Sequence, residues 1–508
     1  MKRFLLTHDI GTTFLKATLF DAEGHLVNKS SAHYELAVLR GNRTEQDSED
    51  WWQAFCRTTR SVLAGIRPED VAAVAVSGQM MVCLPTDSNG NAIFPAITAA
   101  DGRSSKELHD LLLKISHEEY QEIVGIPPSE NYTLAKILWL KKEHPEIYKR
   151  AYKFLSSKDY INLKLTGVYA TDPLDATYMH LYDRKRGTWS NRLLEVSGID
   201  PEKLPTILES GTVIGPLLGS AADECGLLAG TPVIMSTGDG GTATLGTGTL
   251  LPGDAYLNIG TSSWVCAITT SGNLTDRTLS LARYFSSWRL SGTMQAGGYS
   301  YNWLKNILFP DGTSPGEDPY ITMDLLSAKV PAGSNGVMFF PYLMGERTPY
   351  WDMKLKGAFF GLSSETGRKE LCRSVMEGTA FHLSMILGRL QCAEGVPEIK
   401  KLRIMGGGAK SPVWRQIIAD MTQLPIETVL HPDEAGAAGS AVISGIAVGL
   451  FSGLQEISRF QKAGIKTEPN SENFEIYQKE SMIFQSSFPM IRDLSHSIAS
   501  LAGDNKNE

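Results

Sequence analysis

The chain reads as an α/β protein built from two large domains, and three observations carry that reading. Strand-like apolar runs alternate with helical patterns through both halves. At 508 residues the chain exceeds what one hydrophobic core supports. Two distant stretches also read almost alike, Leu6-Thr7-His8-Asp9-Ile10-Gly11-Thr12-Thr13 and Ala255-Tyr256-Leu257-Asn258-Ile259-Gly260-Thr261-Ser262. Each is an apolar run, an Ile-Gly-Thr turn with a second hydroxyl, another apolar run and a polar turn, a hairpin signal given twice. Backbone N–H groups and threonine hydroxyls converging on such a turn suit a phosphate, and glycine permits close approach. Two such turns facing one another would hold a polyphosphate between residues 1–247 and 248–508, the two expected domains; a pair of ordinary hairpins is the alternative.

In chain order, strands are expected at 4–7, 16–20, 71–77 and 82–86, and helices at 49–64 and 104–114. A helical pattern from Thr133 to Lys142 precedes Pro145, and Tyr160 to Leu165 ends at Thr166-Gly167. The stretch from Pro201 to Gly230 is rich in Pro and Gly and reads as a surface excursion. A buried strand, Thr231 to Ser236, then runs into the glycine-rich Thr237 to Gly246. The second half continues through a strand at 402–405, the Gly406-Gly407-Gly408-Ala409 run and a helix from about Pro412 to Met421. Glu434 to Ala441 is helix-compatible and made of small side chains, which lets a neighbouring backbone approach closely; it is read as part of a hinge.

Composition excludes several classes. A net charge of −8 gives no electrostatic reason for nucleic acid or an anionic membrane to bind the whole surface. No apolar run is long enough to span a membrane, and the start lacks the apolar core of a signal peptide. The 6 cysteines have no metal-finger spacing and read as reduced thiols of a cytoplasmic protein. The 10 histidines include no HExxH, which makes a dedicated zinc site an unfavoured reading. Disorder is expected only in the tail Asn505–Glu508.

The residues that carry chemistry follow from their surroundings. Gly238-x-Gly240-x-x-Ala243 satisfies a loose dinucleotide fingerprint, but Gly246, Gly248, Pro252 and Gly253 break the helix it requires. Asp239, on a glycine-rich loop at a strand end, has the placement a general base for a hydroxyl needs; capping its own turn is the alternative. Asp9 precedes the first phosphate-type turn and could hold Mg²⁺ through water, with Lys16 as a charge neighbour. No GxxxxGK[ST] occurs, so a P-loop does not hold the phosphates. The bare backbone of Gly406 to Ala409 could accept a flat ring or ribose, or be a plain tight turn.

Taken together these pieces resemble the FGGY carbohydrate kinases of the actin-like superfamily, over essentially the whole chain. The most specific stretch is Gly357-Ala358-Phe359-Phe360-Gly361-Leu362 followed by Glu370-Leu371-Cys372-Arg373-Ser374-Val375-Met376-Glu377. Supporting matches are Tyr342 to Pro349, Ser77-Gly78-Gln79-Met80, Asp101-Gly102-Arg103 and Gly406 to Ser411. The resemblance implies two actin-like (ribonuclease H-like) domains with a nucleotide and sugar cleft between them. It implies ATP and Mg²⁺ as cofactors, Asp239 as catalytic base, and Asp9 with Asp239 near the metal. By the same resemblance, Gly11, Thr12, Thr13, Lys16, Gly260 and Thr261 bind phosphate, and Gly298, Asn302, Gly407, Gly408 and Ala409 bind the nucleotide. Gln79, Met80, Met81, Asp101, Asn131 and Asp239 fall on the substrate side.

The expected partner is a small sugar or polyol, with a homodimer as the family-level expectation. Within the family the nearest look is to xylulokinases, from which Met81, Ala99-Ala100 and Gly240 depart at positions usually held by His, Trp-Asn and Asn. Ribulose, gluconate, erythritol and glycerol are the alternative acceptors. A nucleotide-gated binding protein or sensor of the same fold is the alternative of another class.

Overall fold

The computed structural model describes residues 3–310, 312 and 316–504. The tail Asn505–Glu508 lies outside the described residues. Two compact units emerge: Met1–Leu250 with Leu281–Trp288 and Glu434–Lys462, and Leu251–Ser280 with Arg289–Asp433 and Ala463–Glu508. The chain thus returns twice to the first unit beyond the expected break at 247–248, once with a hairpin tip and once with the small-residue helix.

The first unit carries a six-stranded sheet in the order Val213–Pro216, Pro232–Met235, Val71–Gly78, Phe4–Ile10, Phe14–Asp21, Leu26–His33. Pro232–Met235, Val71–Gly78 and Phe4–Ile10 run parallel, and the outer strands pair antiparallel. Val71–Gly78 is buried at every residue, so its apolar run does not alternate. Helix Ser48–Val62 is capped by Asp47, which accepts the Glu49 N–H at 2.9 Å, and it puts Trp51, Trp52 and Phe55 into one core with Leu6, Leu19 and Val74. Leu5, Ala73 and Ala75, at the alternate positions of the same strands, form a separate core with Ala438, Ala441 and Val442 of helix Ala435–Ala447.

The second unit repeats this plan. Its sheet carries Ser263–Thr269, Ala255–Ile259, Leu402–Met405, Ile426–Val429 and Ala463–Thr467 in that order. Ala255–Ile259, Leu402–Met405 and Ile426–Val429 are parallel, with an antiparallel edge at Ala463–Thr467. The Gly357-to-Glu377 stretch forms strand Ala358–Phe360, paired with Met338–Phe340, and the start of helix Arg368–Gln391. Gly378 lets that helix close on the strand: a Cβ there would stand 2.1 Å from the Phe339 carbonyl oxygen.

Two expectations need correction. The stretch from Pro201 to Gly230 is no mere excursion, since Val213–Pro216 adds the edge strand of the first sheet and Gly219–Cys225 is helical. The glycine-rich segment after Met235 is not a loop throughout; Asp239–Gly246 is a helix. Its glycines serve contact: a Cβ on Gly246 would lie 1.7 Å from the Ala435 carbonyl oxygen, and one on Gly439 would lie 2.3 Å from that of Thr242. Two glycine-bearing helices therefore pack backbone to backbone, which offsets the poor helix propensity of glycine.

Candidate active site

In the first unit, strands Phe4–Ile10 and Phe14–Asp21 pair with Ile10 opposite Leu15 and Asp9 opposite Lys16. The turn between them is closed by Gly11 N–H donating to the Phe14 carbonyl at 2.9 Å. Its carbonyls are anchored from outside: Tyr34 Oη donates to Gly11 O at 2.5 Å and Gln46 Nε2 to Thr12 O at 2.6 Å. The Gln79 N–H donates to Ile10 O at 2.7 Å. With the backbone so held, the Thr12 and Thr13 side chains stand exposed, as a phosphate site requires.

Asp9 lies beneath this turn. Burial pushes its carboxyl above the usual range, opposed by the Lys16 charge, and its Oδ1 is buried without a hydrogen-bond partner. An orphaned anionic oxygen beside a phosphate-type turn fits a magnesium ion held through water. Among the described residues no three His, Cys, Asp or Glu side chains gather as a metal cage.

Asp239 is the first residue of helix Asp239–Gly246 and is exposed at the C-terminal end of the parallel strand Pro232–Met235. Its Oδ1 accepts the Gly240 N–H at 2.6 Å, so the turn-capping role and an exposed position coexist. The helix dipole favours negative charge at this place. A buried network steadies the approach to it. Lys158 Nζ lies 2.7, 2.9 and 2.9 Å from Asp159, Asp172 and Asp175, and Thr237 Oγ1 donates to Asp172 at 2.7 Å. Burial and the neighbouring carboxylates push Asp175 upward, against the pull of Lys158. Thr242, on the same helix as Asp239, meets the Ser77 hydroxyl at 3.1 Å.

The expected substrate-side residues divide into two kinds. Met80 is buried and abuts Gly238, where a Cβ would lie 2.6 Å from its Cγ. Met81 adopts φ +65°, a left-handed conformation uncommon for a side chain of this type. Asn131 donates to Ala99 O at 2.9 Å and accepts the Ser129 hydroxyl at 3.0 Å. Gln79 and Asp101, like Asn131, are already engaged. Gln79 Nε2 donates to Gln46 Oε1 at 2.7 Å, and Gln46 in turn anchors the phosphate-type turn. The Asp101 carboxylate is fully buried, takes the Thr44 N–H at 2.6 Å and the Arg103 guanidinium at 2.7 to 3.0 Å, and so braces the pocket wall.

The second unit builds its counterpart by the same rules. Asn258 faces Trp264 where the first unit has Asp9 facing Lys16, so the charged pair is replaced by a neutral one. Gly298 N–H donates to Gly260 O at 2.7 Å and Tyr299 N–H to Thr261 O at 3.1 Å, seating helix Gly297–Leu308 on the turn. That contact demands glycine, because a Cβ on Gly298 would stand 2.5 Å from Gly260 O. Gly406, at φ +86°, closes on Ile259 from the other side, while Gly407 has nothing near its would-be Cβ. Gly408 leans on the Ile259 side chain, and Ala409 is buried with its carbonyl held by Arg415 at 2.6 Å. Asn302, one helical turn beyond Gly298, accepts the Tyr320 hydroxyl at 2.8 Å. Gly260, Thr261, Gly298 and Gly407 to Ala409 thus form one cluster of bare backbone.

Sequence reasoning missed Lys158 and Lys136, both fully buried lysines on helices. Lys158 lies next to its partner Asp159, but Asp172 and Asp175, like the Met81 and Thr98 carbonyls that face Lys136, come from other segments that no local pattern brings to them.

Known proteins share this fold. The description of the FGGY family of carbohydrate kinases matches as its N-terminal domain over residues 4–246 and as its C-terminal domain over residues 255–448. A xylulose kinase of Staphylococcus xylosus is 30% identical over 463 residues, 90% of this chain and 93% of that one. A gluconokinase of Bacillus subtilis is 27% identical over 491 residues, 95% of each chain. The crystal structure of a gluconate kinase from Lactobacillus acidophilus has a TM-score of 0.89 at 27% identity, covering 98% of this chain and 99% of that one. Both halves of the duplicated plan, with their turns and the strand-end aspartate, fall inside the matched regions, and the chain belongs to the FGGY family of carbohydrate kinases.

Proposed function

We propose that the chain transfers the γ-phosphoryl group of ATP to a hydroxyl of an open-chain sugar or polyol, with xylulose as the first acceptor to test. The observation that carries this reading is Asp239, exposed at a strand end and helix start in the same unit as the Asp9 turn. An Asp239 carboxylate oxygen accepts the proton of the acceptor hydroxyl as that oxygen forms its bond to the γ-phosphorus. The bond from phosphorus to the bridging oxygen breaks, and ADP leaves with the electron pair. Thr12, Thr13 and Lys16 of one turn, and Gly260 and Thr261 of the other, donate to phosphate oxygens. Gly298, Asn302 and Gly407 to Ala409 take the nucleotide against their backbone, while Met80, Met81 and Asn131 contact the acceptor. Asp9 and Asp239 would hold magnesium through water, and the ion would supply charge neutralisation on the transferring group.

Gluconate is the second reading, favoured by the gluconokinase relative that matches 95% of the chain. Met81 and Ala99-Ala100 set the difference, because a pocket that swaps hydrogen-bonding groups for apolar ones discriminates differently among polyols. The proposal includes a homodimer in the cytoplasm. Its cysteines are free thiols, and no helix among the described residues is long and apolar enough to cross a membrane.

The test is ADP release with Mg-ATP across D-xylulose, D- and L-ribulose, gluconate, erythritol and glycerol. Turnover raised by one acceptor well above ATP alone supports the proposal and names the substrate. Equal ADP release with every acceptor overturns it.

A further inference from the structure

Lys136 sits on helix Thr133–Glu143, fully buried, and its Nζ donates to three backbone carbonyls: Met81 at 2.7 Å, Thr98 at 2.7 Å and Asn131 at 2.6 Å. An ammonium has three donors, so all are spent on main chain. The three acceptors come from three separate segments: the turn after strand Val71–Gly78, the segment leading to Ala99 and Asp101, and the approach to the helix itself. Each segment carries side chains assigned above to the sugar side. Met81, whose φ is +65°, depends on an outside tie to hold its carbonyl in place.

The titratable groups facing Lys136 are Cys83, Asp101 and Arg103. None is a dedicated counter-ion. Asp101 is bound to Arg103, with Nη2 to Oδ2 at 2.7 Å, and burial pushes the Cys83 thiol up to about 12, so it stays neutral. A structural lysine satisfied by a carboxylate would be cheaper to bury; this one is spent on aligning carbonyls.

We propose that the Lys136 ammonium is the positioning group of the acceptor pocket, tying the Met81, Thr98 and Asn131 carbonyls so that the flanking side chains meet the sugar in one arrangement. The proposal rests on the kinase reading above. Burial lowers Lys136 to about 7, with Asp101 opposing the shift. A neutral amine keeps two N–H donors and turns a lone pair toward the third carbonyl, so one segment is released as the pH rises through that value.

The test uses the acceptor that the intact protein turns over best, with KM measured separately for sugar and Mg-ATP. Lys136→Met should raise the sugar KM by about tenfold or more, the scale of a lost charge-assisted hydrogen bond, while leaving the Mg-ATP KM within about twofold. In the unmodified protein the sugar KM should rise from pH 6 to 9 with the Mg-ATP KM flat, and this arm stands even where the variant does not fold. A sugar KM unmoved by Lys136→Met, or flat across that pH range, overturns the role of Lys136 and leaves the kinase reading intact. An unmodified protein inert on every acceptor overturns both.

Discussion

Gly439→Ala tests whether the glycine-to-glycine packing beneath Asp239 matters to the chemistry. The added Cβ would stand 2.3 Å from the Thr242 carbonyl oxygen and 3.2 Å from the Thr242 Cα, all of it backbone that cannot rotate away. Restoring ordinary contact requires helices Asp239–Gly246 and Ala435–Ala447 to separate by about 1 Å. Overpacking of this kind costs about 1–3 kcal/mol, and the better helix propensity of alanine returns at most about 1 kcal/mol. Because Thr242 shares a helix with Asp239, a displacement of that size should also lower kcat by up to about 100-fold. Gly436→Ala is the internal control, since its Cβ would meet only Thr242 Oγ1 at 3.4 Å. It should change stability by less than about 0.5 kcal/mol and leave kcat within about twofold. Thermal unfolding and steady-state phosphorylation decide the matter. Equal stability and turnover in the two variants would refute the reasoning.

Other consequences are open to direct measurement. Lys158→Met strands the Asp159, Asp172 and Asp175 carboxylates in a buried site and should cost about 3–5 kcal/mol in urea unfolding; a loss under about 1 kcal/mol would contradict the network. Glu346 is fully buried, its Oε1 takes the Gln295 and Arg347 N–H groups at 2.7 Å each, and burial pushes its carboxyl up to about 8. Its folded value lies above the unfolded one, so the folded state holds the extra proton and its stabilising effect is lost as pH climbs from about 4.5 to about 8. Glu346→Gln does not titrate, so its stability relative to the parent should grow by about 1.4 kcal/mol per pH unit across the window. Parallel pH profiles for the two proteins would exclude a buried protonated acid there.

What the sequence revealed, and what it hid, follows from range. The two Ile-Gly-Thr turns were legible because strand, turn and strand are contiguous and repeat with the same residue types. The match between Ser77-Gly78 and Met405-Gly406, the ends of the neighbouring parallel strands in the two sheets, was not, since only glycine is shared and sheet register is set by distant pairing. Helix Asp239–Gly246 was hidden by its own glycines, which oppose helix locally and are compensated only by the small face of Ala435–Ala447. Val213–Pro216 was too short for periodicity to register, and a neighbour in the sheet holds it in place. At the site, the strand-end position of Asp239 and the hydroxyl-bearing turns could be read directly. The tie of Asp101 to the Thr44 N–H, the tie from Gln79 through Gln46 to the first turn, and the ties of Lys136 to Met81 and Thr98 and of Lys158 to Asp172 and Asp175 could not. Each depends on a side chain reaching a segment that no local pattern names as its neighbour.

The central claim is that Asp239 takes the proton of the acceptor hydroxyl. Asp239→Asn keeps the size of the side chain and an oxygen to accept the Gly240 N–H, but it removes the base. Single-turnover phosphorylation, with acceptor and Mg-ATP binding measured calorimetrically on the same sample, is the most direct test. A fall in the phosphoryl-transfer rate of about 100-fold to 10,000-fold is expected, with both ligands still bound. Transfer at the parental rate in the Asp239→Asn protein would contradict it.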